Sequence, residues 1–379
     1  MAGIYIHIPF CRYKCNYCNF YSLASTRHMD QISKAISTEL QQRKKYLESH
    51  QVETIYFGGG TPSLLQTADI EKIINRIYSN YRVSADAEIT LEANPDDLTP
   101  EKLNALLKAG INRLSIGIQS FRQEDLQFLS RTHTSAQVSQ CIGDARQAGF
   151  RNLSIDLIYG IPTLSDEGWI ENLQKAISYA ISHISAYSLT VEEKTPLEVM
   201  IRKGKMKAVD ENLALSHYHI LCRVMHQHGY EHYEVSNFCL PGLYSRHNTS
   251  YWQGKHYLGV GPSAHSYNGI SRSWNVSHLT KYLESVASGQ AEAGQEILSP
   301  VTRLNEYIMT SLRTMWGCDL TLVGQRFGPG CAENVLNGSL PFIEAKQMEY
   351  LDGKLILTSA GLLFADGIAA ELFSEEQEP

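Results

Sequence analysis

The chain has 379 residues, of which 43% are hydrophobic and 19% charged, and its formal net charge is −7. That length suits two or three domains, or one barrel with an appendix, and the composition excludes a globally disordered chain. The acidic balance argues against non-specific binding of nucleic acid or an anionic membrane, and no run approaches 18 apolar residues, so no transmembrane helix is expected. The opening Met1-Ala2-Gly3-Ile4-Tyr5-Ile6-His7 lacks the basic and long apolar regions of a signal peptide. A cytoplasmic location is therefore expected, with peripheral contact to a membrane left open.

From the start to about residue 190, strands and helices alternate. In chain order the sequence predicts strand Ile4–Ile8, helix Met29–Leu47, strand Thr54–Phe57, helix Ile70–Tyr81, strand Glu88–Glu92 and helix Glu101–Ala109. Strand Arg113–Gln119, helix Ser135–Gly149, strand Asn152–Ile158, helix Asp166–Ile181 and strand His183–Leu189 follow. Six such units mean a parallel sheet, and the absence of Gly-x-Gly-x-x-Gly after the first strand favours a partial barrel over a dinucleotide fold. Along these strands every second residue is apolar, as in Asn152-Leu153-Ser154-Ile155-Asp156-Leu157. One face therefore meets the helices, and the other is small and polar. A packed barrel core is apolar on that face too, so a polar one predicts a cavity for a polar ligand; a half-exposed sheet is the alternative.

Beyond residue 190 the pattern changes. Asp210–His228 reads as a long helix, with His217, His219, His226 and His228 as solvated or capping groups, and Tyr230–Val235 as a further strand. A stretch dense in His, Tyr, Trp and Gly from Asn237 to Asn275 reads as loops. From about Thr302 the chain is mostly helical and ends in a hairpin, Met348–Leu351 and Lys354–Leu357, followed by a helix from Thr358 to Phe373 and an acidic, frayed tail, 374–379. The predicted architecture is α/β: a (βα)6 partial barrel over 1–235, a loop-rich segment over 236–300, and a mostly helical, winged-helix-like domain over 301–379.

Three of the eight cysteines, Cys11, Cys15 and Cys18, fall within eight residues in the loop after the first strand. In a parallel barrel that loop lies at the end where active sites are built. Three thiolates so spaced can reach one soft metal centre. A zinc site wants a fourth protein ligand, and position 19 is Asn; on a four-iron cluster, three cysteines leave one iron open.

Cys11-x-x-x-Cys15-x-Tyr17-Cys18 resembles the motif of the radical S-adenosylmethionine (SAM) superfamily. Tyr5-Ile6-His7-Ile8-Pro9-Phe10, Gly58-Gly59-Gly60-Thr61-Pro62, Glu92-Ala93-Asn94-Pro95, Gly117-Ile118-Gln119-Ser120-Phe121 and Asp156-Leu157-Ile158-Tyr159-Gly160-Ile161-Pro162 are similar to the oxygen-independent coproporphyrinogen III oxidase group within it. This resemblance spans essentially the whole chain. It implies a radical SAM barrel, a [4Fe-4S] cluster on the three cysteines, and SAM chelated at the open iron. It also implies a SAM pocket lined by Tyr5, Tyr17, Gly59, Gly60, Thr61, Glu92, Gln119, Arg131, Asp156 and Thr190.

Two departures stand against oxidase activity. The oxidases resemble C-x₃-C-x₂-C-x-C, where this chain has Asn19 then Phe20, and they carry a long N-terminal extension for which there is no room before the first strand. Arg246-His247-Asn248-Thr249-Ser250-Tyr251-Trp252 instead matches the HNxxYW motif of the heme-chaperone branch of the group. That match implies a heme site of His247, Asn248, Tyr251 and Trp252: an exposed loop His as axial ligand and two aromatics to stack on the porphyrin, with His265 the next candidate ligand. The implied function is a chaperone that passes heme to an acceptor protein, with SAM cleavage left open. The rival is a coproporphyrinogen III oxidase or another radical SAM enzyme acting on a tetrapyrrole. A nucleic-acid regulator built on the winged-helix-like end is disfavoured by the net charge. Arg202-Lys203-Gly204-Lys205-Met206-Lys207 reads as a solvated basic patch, with heme propionates or an acidic partner as the alternative.

Overall fold

Alternating side chains decide the architecture. In the computed structural model, which describes residues 2–47 and 50–375, the apolar members of each strand (Ile4, Ile6, Ile8, Leu114, Ile116, Leu153, Ile155) pack with helix residues such as Ile32, Ile36 and Leu173 into one large core. The elements that build it are β1 (Ala2–Ile8), α1 (Met29–Gln42), β2 (Val52–Gly59), α2 (Thr67–Asn80), β3 (Val83–Ala93), α3 (Pro100–Lys108) and β4 (Arg113–Gln119). After them come α4 (Gln123–Phe128), α5 (Ser135–Ala148), β5 (Asn152–Tyr159), α6 (Asp166–Ser178) and β6 (His183–Ser188). Neighbouring strands from β1 to β6 are all parallel.

Residues 236–300 do not form a loop-rich segment; they extend the same sheet. After α7 (Pro196–Arg202) and α8 (Glu211–Gln227), β8 (Asn237–Cys239) adds antiparallel to β6, and β7 (Glu231–Glu234) adds antiparallel to β8. Then α9 (Arg246–Trp252) leads to β9 (His256–Val260), which pairs in parallel with β1 on its other side. β10 (His265–Tyr267), β11 (Ser271–Asn275), α10 (Leu279–Ala287) and β12 (Glu292–Ile297) complete that edge. The result is one twelve-stranded sheet in the order β12-β11-β10-β9-β1-β2-β3-β4-β5-β6-β8-β7, a partial barrel that does not close. β11 escapes a hydropathy reading because its buried face is polar. Ser271, Ser273 and Asn275 of β11 are buried, and Asn275 Nδ2 and Arg43 Nη1 bond the buried Glu39 carboxylate at 2.7 and 3.4 Å.

The C-terminal module has its own core, in which Leu304, Ile308, Leu312, Val323, Leu355 and Ile368 meet. It comprises α11 (Pro300–Leu312), β13 (Cys318–Asp319), α12 (Leu320–Phe327), α13 (Pro329–Glu344), β14 (Met348–Leu351) and β15 (Lys354–Leu357), the order of a winged helix. Its strands form a second sheet, β13-β15-β14. Asp352 and Gly353 at the wing tip both have positive φ, 50° and 79°, as a two-residue hairpin turn demands. The predicted terminal helix divides into α14 (Ser359–Leu362) and α15 (Ala365–Glu371), and the last four residues of the acidic tail lie outside the described residues. Among the described residues no helix is long and apolar enough to cross a membrane.

The inner face of the barrel is polar and buried. Glu92, Ser115, Ser154 and His183 stand in register across β3 to β6. Ser154 Oγ and His183 Nδ1 lie 2.7 Å apart, and His183 Nε2 lies 2.7 Å from the Tyr233 hydroxyl. Arg113 is 1% exposed, its nearest carboxylate is Glu88 at 3.9 Å, and its Nε and Nη1 lack hydrogen-bond partners. Buried polar atoms are costly unless something bonds them, so this interior is built around more than its own packing.

Candidate functional site

The cysteine loop leaves the C-terminal end of β1 and is pinned at its neck, where Cys11 N–H donates to Leu23 O at 2.9 Å and Leu23 N–H to Pro9 O at 2.7 Å. Asn16 Nδ2 anchors its middle on Phe128 O at 2.8 Å. Cys11, Cys15 and Cys18 are all free and half-buried. Thr61 Oγ1 donates to Cys11 Sγ and Arg131 Nη1 to Cys15 Sγ, each at 3.4 Å, which fixes where these two sulfurs sit. Burial first, and the neighbouring Cys15 and Cys11, push the Cys18 thiol up. A cationic centre among the three would reverse that penalty. Among the described residues no three of Cys, His, Asp and Glu are gathered tightly enough to hold one metal ion. The spacing fits a polynuclear cluster, whose irons each take one thiolate at separate corners.

The residues expected around SAM converge beside this loop, with one exception. Gly59 adopts φ 110° and donates its N–H to Glu92 Oε2 at 3.2 Å, and a Cβ there would strike the His7 ring at 2.7 Å. Glu92 also accepts from the Tyr56 hydroxyl at 2.7 Å. Burial pushes the Glu92 carboxyl up to about 7, with Asp156 opposite adding to the effect. Asp156 itself is pushed up to about 6 by burial, against the pull of Arg113. Arg131 spans the gap between loop and strands, with Nη2 on Asn94 Oδ1 at 2.6 Å and Gly117 O at 2.7 Å. Gln119 holds a left-handed φ of 65°, a strain that marks a functional strand end. Tyr5 and Tyr17 complete the ring; burial first pushes the Tyr17 phenol up, with Arg131 opposing and Cys15 and Cys18 adding to the effect. Thr190 is the exception: it lies exposed past the end of β6. Two desolvated carboxyls side by side suit a ligand with a positive charge and hydroxyl donors, and the sulfonium and ribose of SAM present both. Tyr56 and Asn94 escaped the sequence reading, although the parity of β2 places Tyr56 on the polar face.

The HNxxYW residues are not where a loop would put them. They form α9, capped by Ser245 Oγ on Asn248 N–H at 3.4 Å, and the amides of Arg246 and His247 donate to the buried Glu88 carboxylate at 3.2 and 3.1 Å. His247 is 1% exposed, not an exposed loop residue. Its Nδ1 lies 2.7 Å from Thr54 Oγ1 and its Nε2 2.9 Å from the Tyr251 hydroxyl, and the Tyr56 ring stacks on it at 4.9 Å. Burial first, then Arg113, pushes it down to about 3. It packs beside Gly3 and Thr54, at the start of β1 and β2, five residues or about 16 Å of strand from the end that carries the cysteine loop. Trp252 faces the C-terminal module, where the Arg313 guanidinium lies over its ring at 5.3 Å. His217 is likewise buried, not solvated, and its Nδ1 accepts from Gly160 N–H at 3.0 Å.

Tyr251 points elsewhere. With Tyr5, His7, Tyr21, Tyr257 and His265 it lines a cavity of about 270 Å³ whose outer rim is Phe20 of the cysteine loop, 68% exposed.

Comparisons with known proteins bear on the family and the fold. Residues 5–176 match the Radical SAM superfamily. The heme chaperone HemW of Mycobacterium tuberculosis is 33% identical over 375 residues, covering 98% of this chain and 94% of its own. The heme chaperone HemW of Bacillus subtilis is 33% identical over 331 residues, 86% of this chain and 87% of its own. The solved structure of coproporphyrinogen III oxidase (HemN) from Escherichia coli, a radical SAM enzyme, matches with a TM-score of 0.84 over 98% of this chain and 90% of that one. At 24% identity that likeness speaks for the fold alone.

Proposed function

The chain belongs to the HemW family of heme chaperones within the radical SAM superfamily, and from that premise we propose that its cysteine loop and aromatic cavity act as one heme-handling mouth. The protein binds heme, a [4Fe-4S] cluster and SAM, and transfers heme to an acceptor protein. In this reading Cys11, Cys15 and Cys18 hold the cluster. Tyr5, Tyr17, Gly59, Gly60, Thr61, Glu92, Gln119, Arg131 and Asp156 hold SAM, and Thr190 reaches it only if the segment after β6 folds inward. When bound, cluster and SAM supply one-electron chemistry. The protein's own share is to orient them. Thr61 and Arg131 hold the sulfurs of Cys11 and Cys15 in place, Glu92 and Asp156 face the sulfonium and ribose, and the polar barrel excludes bulk water. Of the HNxxYW residues, Tyr251 meets heme, while His247 and Asn248 set the helix that presents it and Trp252 ties that helix to the C-terminal module. The acceptor is a protein of the cytoplasm, and the exposed Arg202–Lys207 stretch, with Met206 Sδ 3.8 Å from Asn16 Nδ2, offers positive charge next to the cysteine loop.

The observation that carries this reading is that Phe20 and Tyr21, two and three residues past Cys18, form one side of the aromatic cavity. The test is to give the anaerobically reconstituted protein heme in one arm and coproporphyrinogen III, SAM and reductant in the other. The expected result is a one-to-one heme complex that surrenders heme to apomyoglobin, and no multiple-turnover protoporphyrinogen IX. Turnover would replace the chaperone reading with the oxidase.

The raised carboxyl of Glu92 makes SAM binding pH-dependent. An ionised Glu92 accepts two hydroxyls and faces the sulfonium; a protonated one does neither. Affinity is therefore present above pH 7 and lost as pH falls through about 7, by up to about tenfold per unit. Calorimetric titration between pH 8 and 6 checks this, and Glu92→Gln should bind weakly at every pH in that range. A wild-type affinity that does not change with pH would show that Glu92 does not contact SAM in its ionised form.

A further inference from the structure

Heme iron needs an imidazole nitrogen with a free lone pair, within reach of a flat aromatic wall. Three histidines stand at or near the cavity. His247 is not one of its lining residues; it lies behind Tyr5 and Tyr251, with both ring nitrogens bonded. His7 lines it, but its Nδ1 is held by the Tyr5 hydroxyl at 3.2 Å and its Nε2 by Tyr21 O at 3.0 Å. His265 lines it, is exposed to solvent, and makes no hydrogen bond through its ring to the described residues.

We infer that His265, at the start of β10, is the axial ligand to heme in the aromatic cavity beside the cysteine loop. This rests on the heme-chaperone reading and assigns the ligand that the reading leaves open.

The backbone around His265 is built for placement. Gly259 sits so close that a Cβ would meet His265 O at 2.0 Å, and Gly261, at φ 100°, would strike His7 O at 2.4 Å. Between them and His265, Ser263 holds a left-handed φ of 64° without being glycine. The turn is thereby pressed against β1, where Tyr5 is in register with Gly259, and the imidazole is held at the level of Tyr5 and His7. Trp274 backs the ring at 6.2 Å. At about 270 Å³ the cavity is smaller than a whole porphyrin, so Tyr251, Tyr257 and Phe20 contact one part of the macrocycle. Heme held there on one side would leave the rest of the macrocycle accessible to an acceptor protein. A chaperone needs that partial grip; a ligand buried as deeply as His247 would make release slow.

The test uses the full-length, cluster-loaded protein. Heme is titrated into wild type, His265→Ala, His265→Met, His247→Ala and Trp252→Ala, and followed by the Soret band and the electron paramagnetic resonance of ferric heme. The expected result is that His265→Ala loses the histidine-ligated signature and binds about tenfold or more weakly, at unchanged iron–sulfur content. Free imidazole should restore the signature, which a merely structural residue would not allow, and His265→Met should give a thioether-type spectrum. Trp252→Ala and His247→Ala should keep the histidine signature. A wild-type spectrum in His265→Ala, or loss of the signature in His247→Ala alone, overturns the assignment. Failure of wild type to bind heme at all sinks the chaperone reading itself, and this inference with it.

Discussion

Alanine at Cys11, Cys15 or Cys18, one at a time, abolishes the iron–sulfur cluster: iron and sulfide in the anaerobically reconstituted variants fall to less than about a tenth of wild type. Each thiolate serves a separate iron, so no neighbour can substitute for a missing one. Asn19 cannot ligate as a thiolate does, and the remaining cysteines are placed elsewhere. Cys239 is buried in β8, and Cys222 lies on α8, 4.0 Å from His232 Nδ1. Alanine at Cys222 or Cys239 should therefore leave the cluster intact. The fold should survive all three motif substitutions, because the loop is pinned by backbone bonds between Cys11 and Leu23 and by Asn16, not by the sulfurs. Three single variants that each keep a full complement of four irons would disprove the ligand set.

The metal-free protein should lose several kcal/mol of stability between pH 6.5 and 4. Burial pushes His247 down to about 3, and His7 and His133 to about 4 each, so all three fold neutral. Their folded pKa values lie below the unfolded value of about 6.5. The stability they contribute is thus present above pH 6.5 and lost as pH falls toward 4. At about 1.4 kcal/mol per histidine and pH unit, the loss reaches about 6 kcal/mol by pH 5. Glu92 and Asp156 act in the opposite sense. Their raised carboxyls take up protons in the folded state as pH falls through about 7 and about 6. That returns about 3 kcal/mol over the same interval, leaving a net loss of about 3 kcal/mol at pH 5, a large part of a typical domain's stability. Urea unfolding at pH 7 and pH 5 measures it. Equal stabilities would show that these histidines charge without cost. His247→Gln should be less acid-sensitive by about 1.4 kcal/mol per pH unit.

The barrel was legible because helices alternate with strands whose period is two: Ile155 turns to the helices and Ser154 to the interior, and hydropathy records the difference. The cysteine motif was legible because its ligands are local, three thiols in one loop. The edge strands were not. The buried residues of β11 are Ser271, Ser273 and Asn275, which read as surface until Arg43, just past α1, is seen to bond Ser273 and Glu39 of α1 to bond Asn275. His247 shows the same limit. In the sequence it is a polar residue in an aromatic stretch, and it becomes a buried, doubly bonded anchor only because Thr54 and Glu88, 193 and 159 residues upstream, meet it inside the barrel.

The sequence by itself therefore determined the strand and helix order from β1 to β6, the cysteine motif and the family resemblance, all of which depend on neighbours along the chain. The tertiary structure decided which histidine is free to meet a ligand. Burial and the occupancy of a ring nitrogen depend on groups remote in sequence: Thr54 and Tyr251 claim both nitrogens of His247, while the close turn from Gly259 to His265 leaves the other imidazole open at the mouth.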